Sequence, residues 1–353
     1  MNASGLKSVR SSIMAIRDDV PREASDAYVA AHPLSSVYHR NAWTDVIRAG
    51  FGHETKYLVA EAGSEVVGVL PLVFFRSRLF GRFTVSMPFL NYGGVLADGP
   101  EIARALLNRA IEETRAAGGS HLELRHTRQS FSDLPSKRHK VAMALHLESS
   151  VDRQWSCLDR KVRNQIRKGE KSALEAAAGG IELLPEFYAV FARNMRDLGT
   201  PVYSPRFFRA VLETFPESSQ VFLLRVDDRP VAASLVHWHG DTFEAPWASS
   251  LREFKPLCAN VLLYWHMLRF AVDRGFRTFD FGRSSPGDGA YQFKKQWGAE
   301  PRELVWEYWT AEGHAVPQLN PANANFALAI RAWQQLPLSV ANALGPFVVR
   351  NIP

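Results

Sequence analysis

The chain has 353 residues, 46% hydrophobic and 22% charged, which is enough apolar sequence for a full core and suggests two domains at about 100 to 200 residues each. A disordered chain is excluded by these proportions. The two cysteines, Cys157 and Cys258, form no CxxC pair, which excludes a disulfide framework and a cysteine-rich zinc site.

The net charge is +6, which favours anionic partners. Between Arg153 and Lys171 stand seven basic residues against two acidic ones, so most of the excess lies in one segment. The longest apolar run, Val66 to Phe75, is ten residues broken by Gly68 and Pro71, short of the roughly 20 that span a bilayer. The N-terminus has no apolar block typical of a leader. The expected location is the cytoplasm, with contact at the inner face of the cytoplasmic membrane left open.

In chain order, Tyr57 to Leu70 reads as strand, turn and strand, and Ile102 to Ala117 has the apolar spacing of a helix. Gly118-Gly119 and the strand His121 to Leu124 follow. The order recurs: a hairpin at Val221 to Ser234, a strand at Asp241 to Ser249, a helix at Ala259 to Val272, then Gly275 and the strand Thr278 to Phe281. Aligning the two places Glu123 on Asp280, each an acid between apolar neighbours. This is an internal duplication, and the expected fold class is α/β with a mixed sheet in two tandem domains. The expected divisions are 1–150, 151–319 and a helical tail, 320–353. Val141 to Leu147, after a basic loop at Lys137 to Lys140, is expected to close the first half. A short helix at Tyr291 to Gly298 and an aromatic strand at Arg302 to Thr310 are expected to close the second.

Four stretches carry a resemblance: Leu158 to Lys171 (LDRKVRNQIRKGEK), Asn194 to Tyr203 (NMRDLGTPVY), Asp280 to Gly298 (DFGRSSPGDGAYQFKKQWG) and Ala327 to Pro346. With the duplicated halves, the chain resembles tandem GNAT-like acyltransferases. It is similar in particular to the Fem peptidoglycan aminoacyltransferases and to the FemAB-related proteins of exosortase/PEP-CTERM systems. The resemblance implies an N-acyl or aminoacyl transferase acting on an amine of a cell-envelope or exopolysaccharide precursor. Such a precursor would be anionic, a nucleotide sugar or a prenyl pyrophosphate-linked sugar. No tightly bound cofactor is implied, and the co-substrate is aminoacyl-tRNA or acyl-CoA. The chain has neither a long charged segment for the coiled-coil arm of some Fem enzymes nor the glycine signature that GNAT enzymes use for acetyl-CoA. Two other readings stay open: an acyl-CoA-dependent N-acyltransferase on a sugar or amino acid, and a non-catalytic module binding RNA, such as tRNA, or anionic lipid, the latter through the tail.

Acyl transfer needs a cation or donor pair aimed at the developing oxyanion. Lys294 is the first candidate, carried over with Phe293 from the Phe-Lys pair of Fem-like catalysis. Lys295 points elsewhere on a helix and takes the surface role. Asp280 and Glu244 are the carboxylates for a general base. Arg160, Arg163, Arg167 and Lys171 recur along one helix face and offer cations to an anionic ligand. Arg283 in the loop RSSPGDG, Tyr291 on the short helix, and Asn91 and Tyr92 in PFLNYGG complete the substrate-binding candidates. His237 and His239 lack a third ligand at recognisable spacing, so no metal is expected.

Overall fold

The computed structural model describes residues 14–77, 80–317 and 324–353; most of the N-terminal stretch read for a leader lies outside them. The first half runs β1 (Met14–Arg17), α1 (Arg22–Ala31), α2 (Trp43–Phe51), the hairpin β2 (Glu54–Ala62) and β3 (Glu65–Ser77), and β4 (Gly81–Val85). It continues with β5 (Leu96–Ala97), α3 (Pro100–Ala116), β6 (His121–His126) and β7 (Ser136–His146). After α4 (Val151–Cys157) and α5 (Arg160–Lys171) the pattern restarts: β8 (Glu175–Gly179), α6 (Leu184–Leu198), α7 (Pro205–Thr214), β9 (Ser219–Val226), β10 (Arg229–His239), β11 (Thr242–Ser250) and α8 (Ala259–Asp273). Then come β12 (Thr278–Ser284), α9 (Gly289–Lys295), β13 (Glu300–Thr310) and the tail helices α10 (Ala324–Gln334) and α11 (Leu338–Val349).

Local chemistry sets several of these boundaries. α3 opens on Pro100, whose missing N–H is no loss in a first turn. Asp159 caps α5 and Asp288 caps α9 through side-chain oxygens that accept backbone N–H bonds. Asp227 and Asp228 both take positive φ in the two-residue turn between β9 and β10, the conformation that matches a hairpin's twist.

Among the described residues the strands form one sheet, ordered β1-β2-β3-β4-β6-β13-β7-β12-β11-β10-β9-β8, with β5 against β3. The duplication is visible in the register. β4 pairs parallel with β6, setting Val85 opposite Glu123, and β11 pairs parallel with β12, setting Glu244 opposite Asp280. The fold is a tandem pair of GNAT-like halves.

The closing strands are exchanged between the halves. β7 lies against β12 of the second half, β13 lies against β6 of the first, and the two pair with each other. The sheet therefore crosses residue 150, where the sequence divides the chain. Lys137 to Lys140 is not a loop but part of β7: Lys140 pairs with Leu304 and Lys137 with Trp306 of β13. Its charges are accommodated because the Lys137 ammonium lies 5.2 Å from the Tyr308 ring and Lys140 donates to Ser285 Oγ at 2.6 Å.

Strand alternation sorts side chains to two faces. Leu122 and Leu124 pack with Leu106 and Leu107 of α3, and Phe279 and Phe281 pack with Leu263 and Met267 of α8. Each such buried side chain contributes about 1.5–3 kcal/mol. The residues between them, Glu123 and Asp280, are thereby turned to the opposite face, beneath α2, α6, α7 and the 86–94 segment, where a second core contains Trp43, Phe187 and Phe207. The site forms at the centre of that face.

Candidate active site

The parallel pairing of β11 and β12 covers only Thr242–Glu244 and Thr278–Asp280. Beyond it the strands part. Gly282 makes the bend, with φ of +73° at the register shift between Asp280 and Arg283; a side chain rarely adopts that conformation. A Cβ there would also stand 3.0 Å from Asn91 Nδ2. The sequence Asp280-Phe281-Gly282-Arg283 thus encodes an inward acid, a core phenylalanine, a bend and a second inward polar side chain.

Glu244 and Asp280 are 3% and 4% exposed and sit side by side on adjacent strands. Tyr38 Oη donates to Glu244 Oε1 at 2.7 Å, and Asn91 Nδ2 donates to the same oxygen. Tyr92 Oη donates to Asp280 Oδ2 at 2.5 Å, and the Gly282 N–H donates to Asp280 Oδ1 at 2.7 Å. Burial pushes both carboxyls above their ordinary range, and the Asp280 charge pushes Glu244 further, well above it. The Tyr92 and Gly282 bonds and the nearby Lys294 oppose the rise at Asp280. The Tyr38 and Asn91 bonds and Lys294 likewise oppose the rise at Glu244, and the two carboxyls together hold a proton more tightly than separate ones would. Since Tyr38 spends its proton on Glu244, His237 Nε2, 3.0 Å from Tyr38 Oη, carries the hydrogen that Tyr38 accepts. Burial holds this imidazole neutral, its pKa lowered to about 3.

Lys294, on α9, is 8% exposed. Its Nζ donates to Gly282 O at 3.1 Å and to Arg283 O at 3.0 Å. An ammonium has three N–H donors, so one remains for a ligand. Burial lowers its pKa to about 8, against the attraction of Asp280. Arg283 is lowered to about 10 by burial and by the Arg125 charge, and it stacks over Trp306 at 5.3 Å.

Two cavities flank this cluster. One, of about 280 Å3, holds the titratable side chains Glu244, Asp280, His39, His239 and Arg302, with Tyr92 beside them. The other, of about 300 Å3, is lined by Lys294, Arg283, Asn91 and Tyr203 together with apolar side chains. Asn91 stands between them: its Nδ2 holds Glu244 on one side, while its Oδ1 accepts from the Arg283 N–H at 3.3 Å on the other. Pro246, Trp247 and Ala248 of β11 also line the second cavity, where that strand has no partner on its β12 side.

Asn91, Tyr92, Glu244, Asp280, Arg283 and Lys294 are therefore brought together. Phe293 is not beside them: it packs 5.0 Å from the Tyr264 ring and 6.3 Å from that of Trp297, in the core around α8, and lines neither cavity. Tyr291 joins the same core. Arg160, Arg163, Arg167 and Lys171 lie on α5, whose Val162 and Ile166 are buried against the α8 core, so none of these cations lines either cavity. The indole of Trp155 lies 5.3 Å from the Arg167 guanidinium. Lys295 is exposed. No metal-binding cluster is found among the described residues.

The pseudo-equivalent acid of the first half is occupied differently. Glu123 accepts from Arg125 Nε at 2.8 Å, an ion pair 1% and 8% exposed. Among the described residues, Asp280 has no such direct ion pair. Sequence reasoning missed Tyr38, His39, Tyr203 and Arg302; the only signal for His237 was its spacing from His239, which the eye reads as metal-like.

The family profile described as Acetyltransferase (GNAT) domain matches residues 160–295. No curated protein matches the chain in sequence. Among solved structures, FemX is similar at 15% identity with a TM-score of 0.66, covering 83% of this chain and 96% of its own. L-PGS from Bacillus licheniformis is 11% identical with a TM-score of 0.54, over 90% of this chain and 98% of its own. A tandem GNAT protein from the clavulanic acid biosynthesis pathway is 14% identical with a TM-score of 0.51, over 83% of this chain and 93% of its own. These likenesses are of fold, and the matched domain spans the strand splay, both carboxylates and Lys294. The chain is an acyltransferase with a tandem GNAT-type fold.

Proposed function

We propose that the protein transfers an acyl group from a thioester donor to an amine, with Lys294 as the oxyanion-stabilising cation. The observation that carries this reading is the buried Lys294 ammonium, tied by two bonds to the backbone of the strand bend with its third N–H left for a ligand in the second cavity. The donor occupies the second cavity, where the unpaired edge of β11 is suited to the amide groups of a carrier arm such as that of coenzyme A, a co-substrate in keeping with the GNAT match. The acceptor occupies the first cavity.

The acceptor ammonium gives a proton to Asp280, and the freed amine attacks the acyl carbon. A C–N bond forms as the carbonyl electrons move to oxygen, where Lys294 and Arg283 stabilise the charge. One such donor is worth about 3–4 kcal/mol. As collapse breaks the C–S bond, the nitrogen gives up its second proton to the leaving thiolate through water, and the first proton passes from Asp280 to solvent.

The likeness to FemX and the Fem-like motifs support an acceptor on an anionic cell-envelope or exopolysaccharide precursor. The exposed cations of α5 offer that precursor a second, peripheral contact. The test is a thermal-shift panel on the purified protein with acetyl-CoA, longer acyl-CoAs, aminoacyl-tRNA, nucleotide sugars and a soluble prenyl pyrophosphate. A ligand at 100 times its dissociation constant adds about 2.7 kcal/mol. Stabilisation by an acyl-CoA, followed by thiol release when an amine is added, is the expected result. Stabilisation by tRNA alone makes the donor an aminoacyl ester, and binding of anions without turnover makes the protein a binding module.

A further inference from the structure

We infer that the transferred group is an uncharged aliphatic acyl chain, seated along the apolar wall of the Lys294 cavity beneath the C-terminal helix α11. This rests on the reading that acyl transfer occurs at Lys294, and it names the donor's class. Phe89, Leu90, Phe191, Met195, Trp247 and Val349 supply the apolar wall of the cavity. Its polar end is Lys294, Arg283 and Asn91, gathered on the Gly282–Arg283 backbone. A thioester carbonyl at that end directs its chain along the apolar wall.

Charge decides against an aminoacyl group. The lining contains two cations and no carboxylate. The α-ammonium of an aminoacyl donor would lie near Lys294 and Arg283 in a buried setting, unpaired and repelled. The other polar side chains are neutral: Asn194 Nδ2 donates to Ser249 Oγ at 3.0 Å, Tyr203 Oη donates to Phe89 O at 3.4 Å, and Thr200 offers a hydroxyl. Glu244 and Asp280 face the other cavity, beyond Asn91.

The tail completes the seat. Val349 of α11 lines the cavity, and the helix comes close because Gly345 has no side chain; a Cβ there would stand 2.9 Å from the Val202 nitrogen. Leu198, 47% exposed, also lines the cavity and marks where a longer chain emerges.

The experiment is a titration of the wild-type full chain, with no amine acceptor present so that no transfer occurs, with S-acyl N-acetylcysteamine thioesters from two to ten carbons and with the 2-aminooctanoyl thioester. Affinity should rise about fourfold per added CH2, as expected for a fully buried methylene, and stop rising once the cavity is full. The 2-aminooctanoyl compound should bind at least about tenfold more weakly than octanoyl. Val349→Phe should bring the stop to a shorter chain; if that variant does not fold, Leu198→Gln, at a half-exposed position, should weaken the longest chains several-fold more than it weakens acetyl. A flat series, or equal binding of the amino compound, overturns the inference while leaving acetyl transfer at Lys294 standing. A steep series with no turnover by the wild-type protein on any amine keeps the acyl seat and removes the transfer reading.

Discussion

Glu244 and Asp280 lie directly opposite each other on adjacent parallel strands, each capped by a tyrosine hydroxyl from the first half of the chain. Two buried carboxyls at this spacing cannot both ionise cheaply, so the pair has consequences for stability as well as for catalysis.

The stability consequence has a definite sign. Both folded-state pKa values are raised, so the folded protein holds more protons than the unfolded chain above the ordinary carboxylate range. Stability contributed by the neutral form is present below the unfolded pKa and falls as pH rises through the raised folded values. Glu244→Gln removes the larger part of this loss. In urea unfolding at pH 5 and pH 8, the wild type should lose more stability between the two than the variant; equal losses would place the proton elsewhere.

Catalysis should follow a bell. The rising limb reports ionisation of Asp280, above the usual carboxylate range, and the falling limb reports loss of the Lys294 proton near pH 8. Lys294→Arg should move the falling limb upward by more than a unit, since a guanidinium stays charged. A falling limb unmoved in that variant would assign it to another group.

Asn91 stands between the two cavities, bonded to Glu244 on one side and to the Arg283 N–H on the other. Asn91→Ala leaves Glu244 Oε1 with Tyr38 alone, and the loss of one buried hydrogen bond costs about 1–3 kcal/mol of stability. The turnover should fall about tenfold, which is about 1.4 kcal/mol of barrier, as the carboxylates lose their fixed positions. Asn91→Asp should be worse, because it adds a third carboxyl to the pair. A harmless Asn91→Asp, measured by melting and by turnover, would contradict the electrostatics described here.

The cations of α5 face outward on the far side of the α8 core. Arg163→Glu with Arg167→Glu should weaken binding of inorganic pyrophosphate or a nucleotide sugar, and should flatten its salt dependence. An unchanged binding curve would leave these residues as a solvated helix face.

The duplication was legible because each half repeats short-range signals: hairpin, helix, glycine stop, and an acid between core residues. The alignment of Glu123 with Asp280 survives in the register of the parallel pairs. Lys294 was legible against Lys295 because neighbouring helix residues point in different directions. The exchange of β7 and β13 was not legible, since a strand's alternation fixes which face it buries and not which half it pairs with. Nor was Tyr38, whose partner Glu244 is 206 residues away and whose surroundings, VYHRNAW, carry no periodic cue. Phe293 shows the limit of carrying a motif over as a pair: adjacent residues on a helix separate, one toward the cavity and one into the core.

The most direct test of the account is the single-turnover rate of acyl transfer by Lys294→Ala, with donor binding measured on the same protein. The account predicts a fall of about 10²–10³ in rate in a protein that stays folded, with the affinity for acetyl thioester close to that of the wild type and a melting temperature lowered only by the loss of the two backbone bonds. A rate within twofold of the wild type would remove Lys294 from the chemistry, and with it the mechanism built on the bend at Gly282.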